Sequence, residues 1–167
     1  MWPFSKKDSV DSPGRGMVPI GPVVLTDEEH EECQAFVSSV IGQKSSEGNW
    51  YMKKELVEPF KRSLIAQCMM GRAERFAIFA SSPGKEDYIE KACVAAAKAV
   101  GMYPLSMNLY DFACILHKVG KHEEAKMVFK EFLRKHESSP PNPVDEMFLK
   151  QRDVIAAVRH ATHELSK

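Results

Sequence analysis

The stretch SMNLYDFACILHKVGKHEEAKMVFKEFLRKHE, residues 106–137, decides the fold. Its first half sets Leu109, Phe112, Ala113 and Leu116 at intervals of three and four, the repeat of an α-helix and not of a strand. Its second half does the same with Ala125, Phe129 and Phe132. Between them Gly120 allows the backbone to reverse. Ala113 and Ala125 are small where two antiparallel helices must cross closely, and Leu116 and Phe129 fill the space beside the crossing.

The same periodicity runs outward on both sides. Upstream, Lys85 to about Val100 carries Ile89, Ala92, Cys93, Ala96 and Val100 on one stripe, and Gly101 and Pro104 close it. Before the Ser81-Ser82-Pro83-Gly84 break, Phe60, Leu64, Ile65, Cys68 and Met69 mark another helix, and Phe76, Ile78 and Phe79 are expected in the core. Pro59 is expected to divide that segment into a short helix and a longer one. Thr26 with Glu29 three residues on has the spacing of a capping box, and it opens a helix carrying Cys33, Phe36, Val37, Val40 and Ile41. Downstream of the Ser138-Ser139-Pro140-Pro141-Asn142-Pro143 linker, a last helix over about 144–166 has Met147, Phe148, Val154, Ile155, Val158 and Leu165 on its apolar side. No stretch alternates with period two. The expectation is an all-α fold of stacked antiparallel hairpins: a flexible arm over 1–25, a single helical domain over 26–167, and a capping helix at its C-terminus.

Composition narrows the function. Lys and Arg number 23 against 23 Asp and Glu, so the chain lacks the basic excess of a dedicated nucleic-acid or anionic-membrane binder. No window has the run of about 18 apolar residues that a membrane-spanning helix needs. The N-terminus has no apolar signal core, and the expected compartment is the cytoplasm. Cys33, Cys68, Cys93 and Cys114 form no CxxC pair and read as small buried hydrophobes.

Residues 106–137 resemble a tetratricopeptide repeat. The matching positions are Leu109, Phe112, Ala113, Leu116, Gly120, Ala125, Phe129 and Phe132. Leu109 stands where the family often has Trp, Ala113 where it has Gly and Leu116 where it has Tyr, and Pro140 comes later than the closing proline. Residues 85–104 resemble the second helix of a degenerate preceding repeat. The resemblance implies a short array whose first helices line a face that holds a peptide or partner protein. The matching positions for that face are Met107, Tyr110, Cys114, His117 and Lys118. An array this short also leaves apolar flanks through which copies of the chain could associate.

No catalytic constellation or cofactor motif is recognisable, so a non-catalytic protein without a cofactor is expected. Cys114 with His117 and His160 with His163 are each three apart and could offer Zn²⁺ four ligands only if their helices met; solvated histidines are the expected reading. The acidic run Asp27 to Glu32 is explained by the positive end of its helix dipole. The alternative function is nucleic-acid binding through the basic helix 121–135, with Lys121, Lys126, Lys130, Arg134 and Lys135. Glu123, Glu124 and Glu131 on the same helix oppose it.

Overall fold

The computed structural model describes residues 23–49, 51–138, 143–149 and 152–167. Most of the expected arm, residues 1–22, and most of the proline linker, 139–142, lie outside the described residues. Among the described residues there are seven helices and no strand, in the order α1 (Asp27–Ser46), α2 (Lys54–Ala80), α3 (Asp87–Met102), α4 (Ser106–Lys118), α5 (His122–Ser138), α6 (Pro143–Leu149) and α7 (Val154–Leu165). None of them is long and apolar enough to cross a membrane.

Each helix forms for local reasons. At α1 the capping box is complete: the Glu29 N–H donates to Thr26 Oγ1 at 3.2 Å, and the Thr26 N–H donates to Glu29 Oε2 at 2.9 Å. Between α4 and α5 the turn is a Schellman motif. The Lys121 N–H reaches the Leu116 carbonyl at 2.8 Å and the Gly120 N–H reaches that of His117 at 3.1 Å. Gly120 has φ +84°, a left-handed conformation in which a Cβ crowds the following carbonyl. Replacing Gly120 with alanine is expected to cost about 1–2 kcal/mol, measured as a lower urea midpoint at unchanged slope. An unaltered midpoint would contradict that backbone.

Two hairpins carry the architecture. α2 packs most extensively against α3, and α4 against α5; α2 and α3 both touch α4, and α7 closes the far side against α5. Small side chains bring the first pair together: Ala66, Ala73 and Ala77 of α2 and Ala92, Ala95, Ala96 and Ala99 of α3 are all buried. In the second pair Ala113 is 0% exposed and Ala125 1%, with Leu116 and Phe129 equally enclosed. One core cluster runs from Cys33 through both hairpins to Ala161. A smaller one, Val37, Phe60 and Leu64, joins α1 to α2.

Three expectations are corrected. Pro59 is the sixth residue of a continuous α2 that begins at Lys54; it removes one helix bond, to the Glu55 carbonyl, and that carbonyl belongs to an exposed residue of the first turn. The C-terminal helix expected at about 144–166 is two, α6 and α7: Asp153 caps α7 by accepting the Ala156 N–H at 2.8 Å. Ile78 and Phe79, expected in the core, are 57% and 51% exposed in the last turn of α2, where the Phe79 ring meets Tyr88 of α3 at 5.5 Å. Met147 and Ile155 are likewise exposed.

The acidic run of α1 does more than answer the helix dipole. Glu29 accepts from Lys98 of α3 at 2.7 Å, and Arg72 of α2 spans Glu28 at 3.1 Å and Glu32 at 2.5 Å. Arg75 also pairs with Glu32. Burial works against ionising Glu29 and Glu32, but Lys98 and Thr26 around the first, and Arg72 and Arg75 around the second, hold both below the ordinary 4.5. Carboxyls depressed in this way stabilise the fold above that ordinary value, and their contribution is lost as pH falls through the lower folded value. Urea midpoints are therefore expected to fall more steeply below about pH 4.5 in wild type than in a Glu29→Gln/Glu32→Gln variant. Parallel pH profiles would show that the pairs contribute nothing.

Candidate interaction groove

α2 and α4, the first helices of the two hairpins, lie side by side and leave a cavity of about 230 Å³ between them. Helical spacing brings Gln67, Gly71 and Glu74 of α2 to one wall. Asn108 and Asp111 of α4 form the other wall, and Arg152, just before α7, closes one side. The apolar floor is Met70, Leu105 and Met107, all buried. At about 230 Å³ the cavity is below the range of roughly 300–1,000 Å³ usual for small-molecule pockets, and its lining is mixed, polar walls over an apolar floor.

Three of the polar groups, Asn108, Asp111 and Arg152, are fixed in place. The Arg152 guanidinium holds the Asp111 carboxylate with two hydrogen bonds, at 2.6 and 3.0 Å, a charge-assisted fork that raises the arginine further above its ordinary value. The buried Asn108 amide donates to the Tyr103 carbonyl at 2.8 Å. Gly71 is the unusual member. It sits in the interior of α2, where glycine costs roughly 0.5–1 kcal/mol relative to alanine. Packing does not require it: a Cβ there would meet only the tip of Arg75, at 4.0 Å. The glycine leaves the groove open and brings backbone to its surface.

Of the five residues assigned to a partner-binding face, the structure spreads rather than gathers them. Met107 is on the groove floor, 2% exposed, and Lys118 is exposed at the far end of α4. Tyr110 is half-buried, not free: its hydroxyl is 2.9 Å from His160 Nδ1, and its ring lies 5.9 Å from Phe129 and 5.4 Å from Phe132. α7 covers it. Cys114 lies half-buried beside it; burial pushes the thiol up to about 11, so at neutral pH it is protonated and a poor nucleophile. His117 is exposed, 3.2 Å from His122 and 3.7 Å from Glu164. Of the Cys114, His117, His160 and His163 set, His160 turns to Tyr110 and Glu164, and among the described residues no three His, Cys, Asp or Glu side chains are grouped to hold a metal.

Of the groove residues, sequence reasoning found only Met107 and missed Gln67, Met70, Gly71, Glu74, Leu105, Asn108, Asp111 and Arg152. The Asp111–Arg152 pair spans 41 residues and has no local signal. Gly71 was visible as a glycine in a helical pattern, but its place beside α4 was not. A second, more open cleft of about 670 Å³ lies between α1, α2 and α3. Its aromatic faces are already occupied by the chain's own cations, with Arg72 5.2 Å over Phe76 and Lys91 4.4 Å over Tyr88. Comparison of the chain with family models, with curated proteins and with solved structures finds no match.

Proposed function

We propose that the protein is a non-catalytic interaction scaffold that holds a peptide or partner-protein segment in the groove between α2 and α4. The observation that carries this reading is the groove itself. Two consecutive hairpins contribute their first helices, the floor is apolar, Asn108 is held by the Tyr103 carbonyl and Asp111 by Arg152, and Gly71 leaves room for close approach. The tetratricopeptide resemblance of residues 106–137 agrees with it, since that family presents ligands on its first helices.

Nucleic-acid binding through α5 has less support. Lys126 pairs with Glu123 at 3.7 Å, Arg134 with Glu131 at 2.5 Å and Lys121 with Glu124 at 4.0 Å, while Lys135 is turned to the Pro104 carbonyl. With three of its five cations paired to neighbouring carboxylates, this stretch offers phosphates a weakened field.

The test is site-specific photocrosslinking in cells. A photoreactive side chain at Gln67 or Glu74 is expected to trap a discrete partner that the same side chain at Lys130, on α5, does not. Equal trapping from both positions would remove the groove as the docking face. Salt-sensitive binding of RNA or DNA by the purified chain would favour the nucleic-acid reading instead.

A further inference from the structure

The turn that joins α4 to α5 brings two histidines face to face. His117 lies in the last turn of α4 and His122 opens α5, and the Schellman turn between them fixes their separation. Their Nδ1 atoms are 3.2 Å apart, and the rings are 4.6 Å apart between centroids, close to perpendicular at 70°. Two imidazole nitrogens each about 2.0–2.1 Å from one tetrahedral Zn²⁺ are themselves about 3.3 Å apart. The observed spacing, that of a hydrogen bond between the two imidazoles, is close to it. Near the same His117 nitrogen, at 3.7 Å, lies Glu164 Oε2 of α7, whose side chain is only 9% exposed. A carboxylate held at that distance offsets the charge of a cation placed between the imidazoles, and charged or hydrogen-bonding partners beside metal-bound histidines commonly tune affinity.

We propose that His117 and His122 form a two-imidazole site for a divalent transition-metal ion of the Zn²⁺ class, with Glu164 as the neighbouring counter-charge. Imidazole is a preferred donor for such ions. Since no third ligand is grouped with the pair among the described residues, water completes the coordination. The surroundings set the strength. Lys121 is directed toward Glu124 at 4.0 Å, which limits its repulsion, and Lys167 competes for Glu164 at 2.6 Å. Lys118, exposed and next to His117 in the last turn of α4, adds like charge to the neighbourhood, so the site is a moderate one. Its effect is structural: a cation here ties the α4–α5 turn, through Glu164, to the end of α7. The site lies at the other end of α4 from the groove and does not depend on the groove's function.

The test is a Zn²⁺ titration of the chelator-treated full chain against a competing fluorescent chelator, with the mass of the complex measured in parallel. Wild type is expected to take one Zn²⁺ per chain and to rise in melting temperature. His117→Ala and His122→Ala are each expected to weaken that binding at least about tenfold. His136→Ala, which alters a histidine elsewhere on α5, should bind as wild type does. Glu164→Gln should weaken binding less than either histidine variant, and its melting temperature should respond less to Zn²⁺. No uptake by wild type, or uptake unchanged by His122→Ala, would overturn the site. One ion shared between two chains would overturn the pairing within a single chain.

Discussion

Truncating Phe129 to alanine is expected to destabilise the protein by about 3–5 kcal/mol, as for other fully buried aromatic side chains. Phe129 is 0% exposed and stands where three helices meet. It projects from α5, its ring is 5.9 Å from that of Tyr110 on α4, and it is 5.6 Å from His160 on α7. Removing it leaves a cavity where α7 packs against both members of the second hairpin. The loss should appear as a lower guanidinium midpoint, and protection of α7 amides from exchange should fall with it. A cost below about 1 kcal/mol would mean that α7 does not dock there.

Ala113→Leu is expected to cost about 1–3 kcal/mol or more, in the opposite sense, by overfilling the crossing. Ala113 is 0% exposed in α4 and Ala125 1% exposed in α5, so three extra carbons have no space unless the helices separate. The control is Ala156→Leu on the exposed side of α7, where leucine should change stability by no more than about 0.5 kcal/mol. If both substitutions were tolerated equally, the helices would not approach closely at Ala113.

Much of the fold was legible because its signals are local. Thr26 and Glu29 specify one helix start within four residues, Gly120 specifies the reversal, and the Ala92–Ala96 stripe announces a close helix pair. The errors came where local signals were weighed wrongly. Pro59 reads as a divider because proline disfavours a helix interior, yet at the sixth position of α2 the one bond it removes is to a carbonyl in the exposed first turn, and the helix runs through it. Asp153 is an ordinary N-cap, but Val154 and Ile155 continue an apolar pattern across it and hid the break before α7. Ile78 and Phe79 carry core-like side chains in the last turn of α2, where Phe79 meets only the edge of Tyr88 at 5.5 Å and both stay half-exposed.

The candidate groove was less legible, because it is assembled from separate helices. Met107 was identified from its place in α4, yet the residues around it come from α2 and from the approach to α7. Tyr110 and His117 were placed on an open face because their partners, His160 and Glu164, sit in a helix whose position is set by packing against α5. Periodicity assigns a side chain to a face of its own helix. It does not say which helix comes to lie on that face.

The groove is tested most directly by Gly71→Leu, with thermal stability and partner capture measured on the same preparations. Nothing stands closer than 4.0 Å to a Cβ at this position, and leucine is a better helix former than glycine. The variant is therefore expected to melt at or above the wild-type temperature while losing at least about tenfold in capture of the crosslinked partner, roughly the 1.4 kcal/mol that blocking one contact region removes. Full capture by a stably folded Gly71→Leu protein would contradict the assignment of the α2–α4 groove as the binding face.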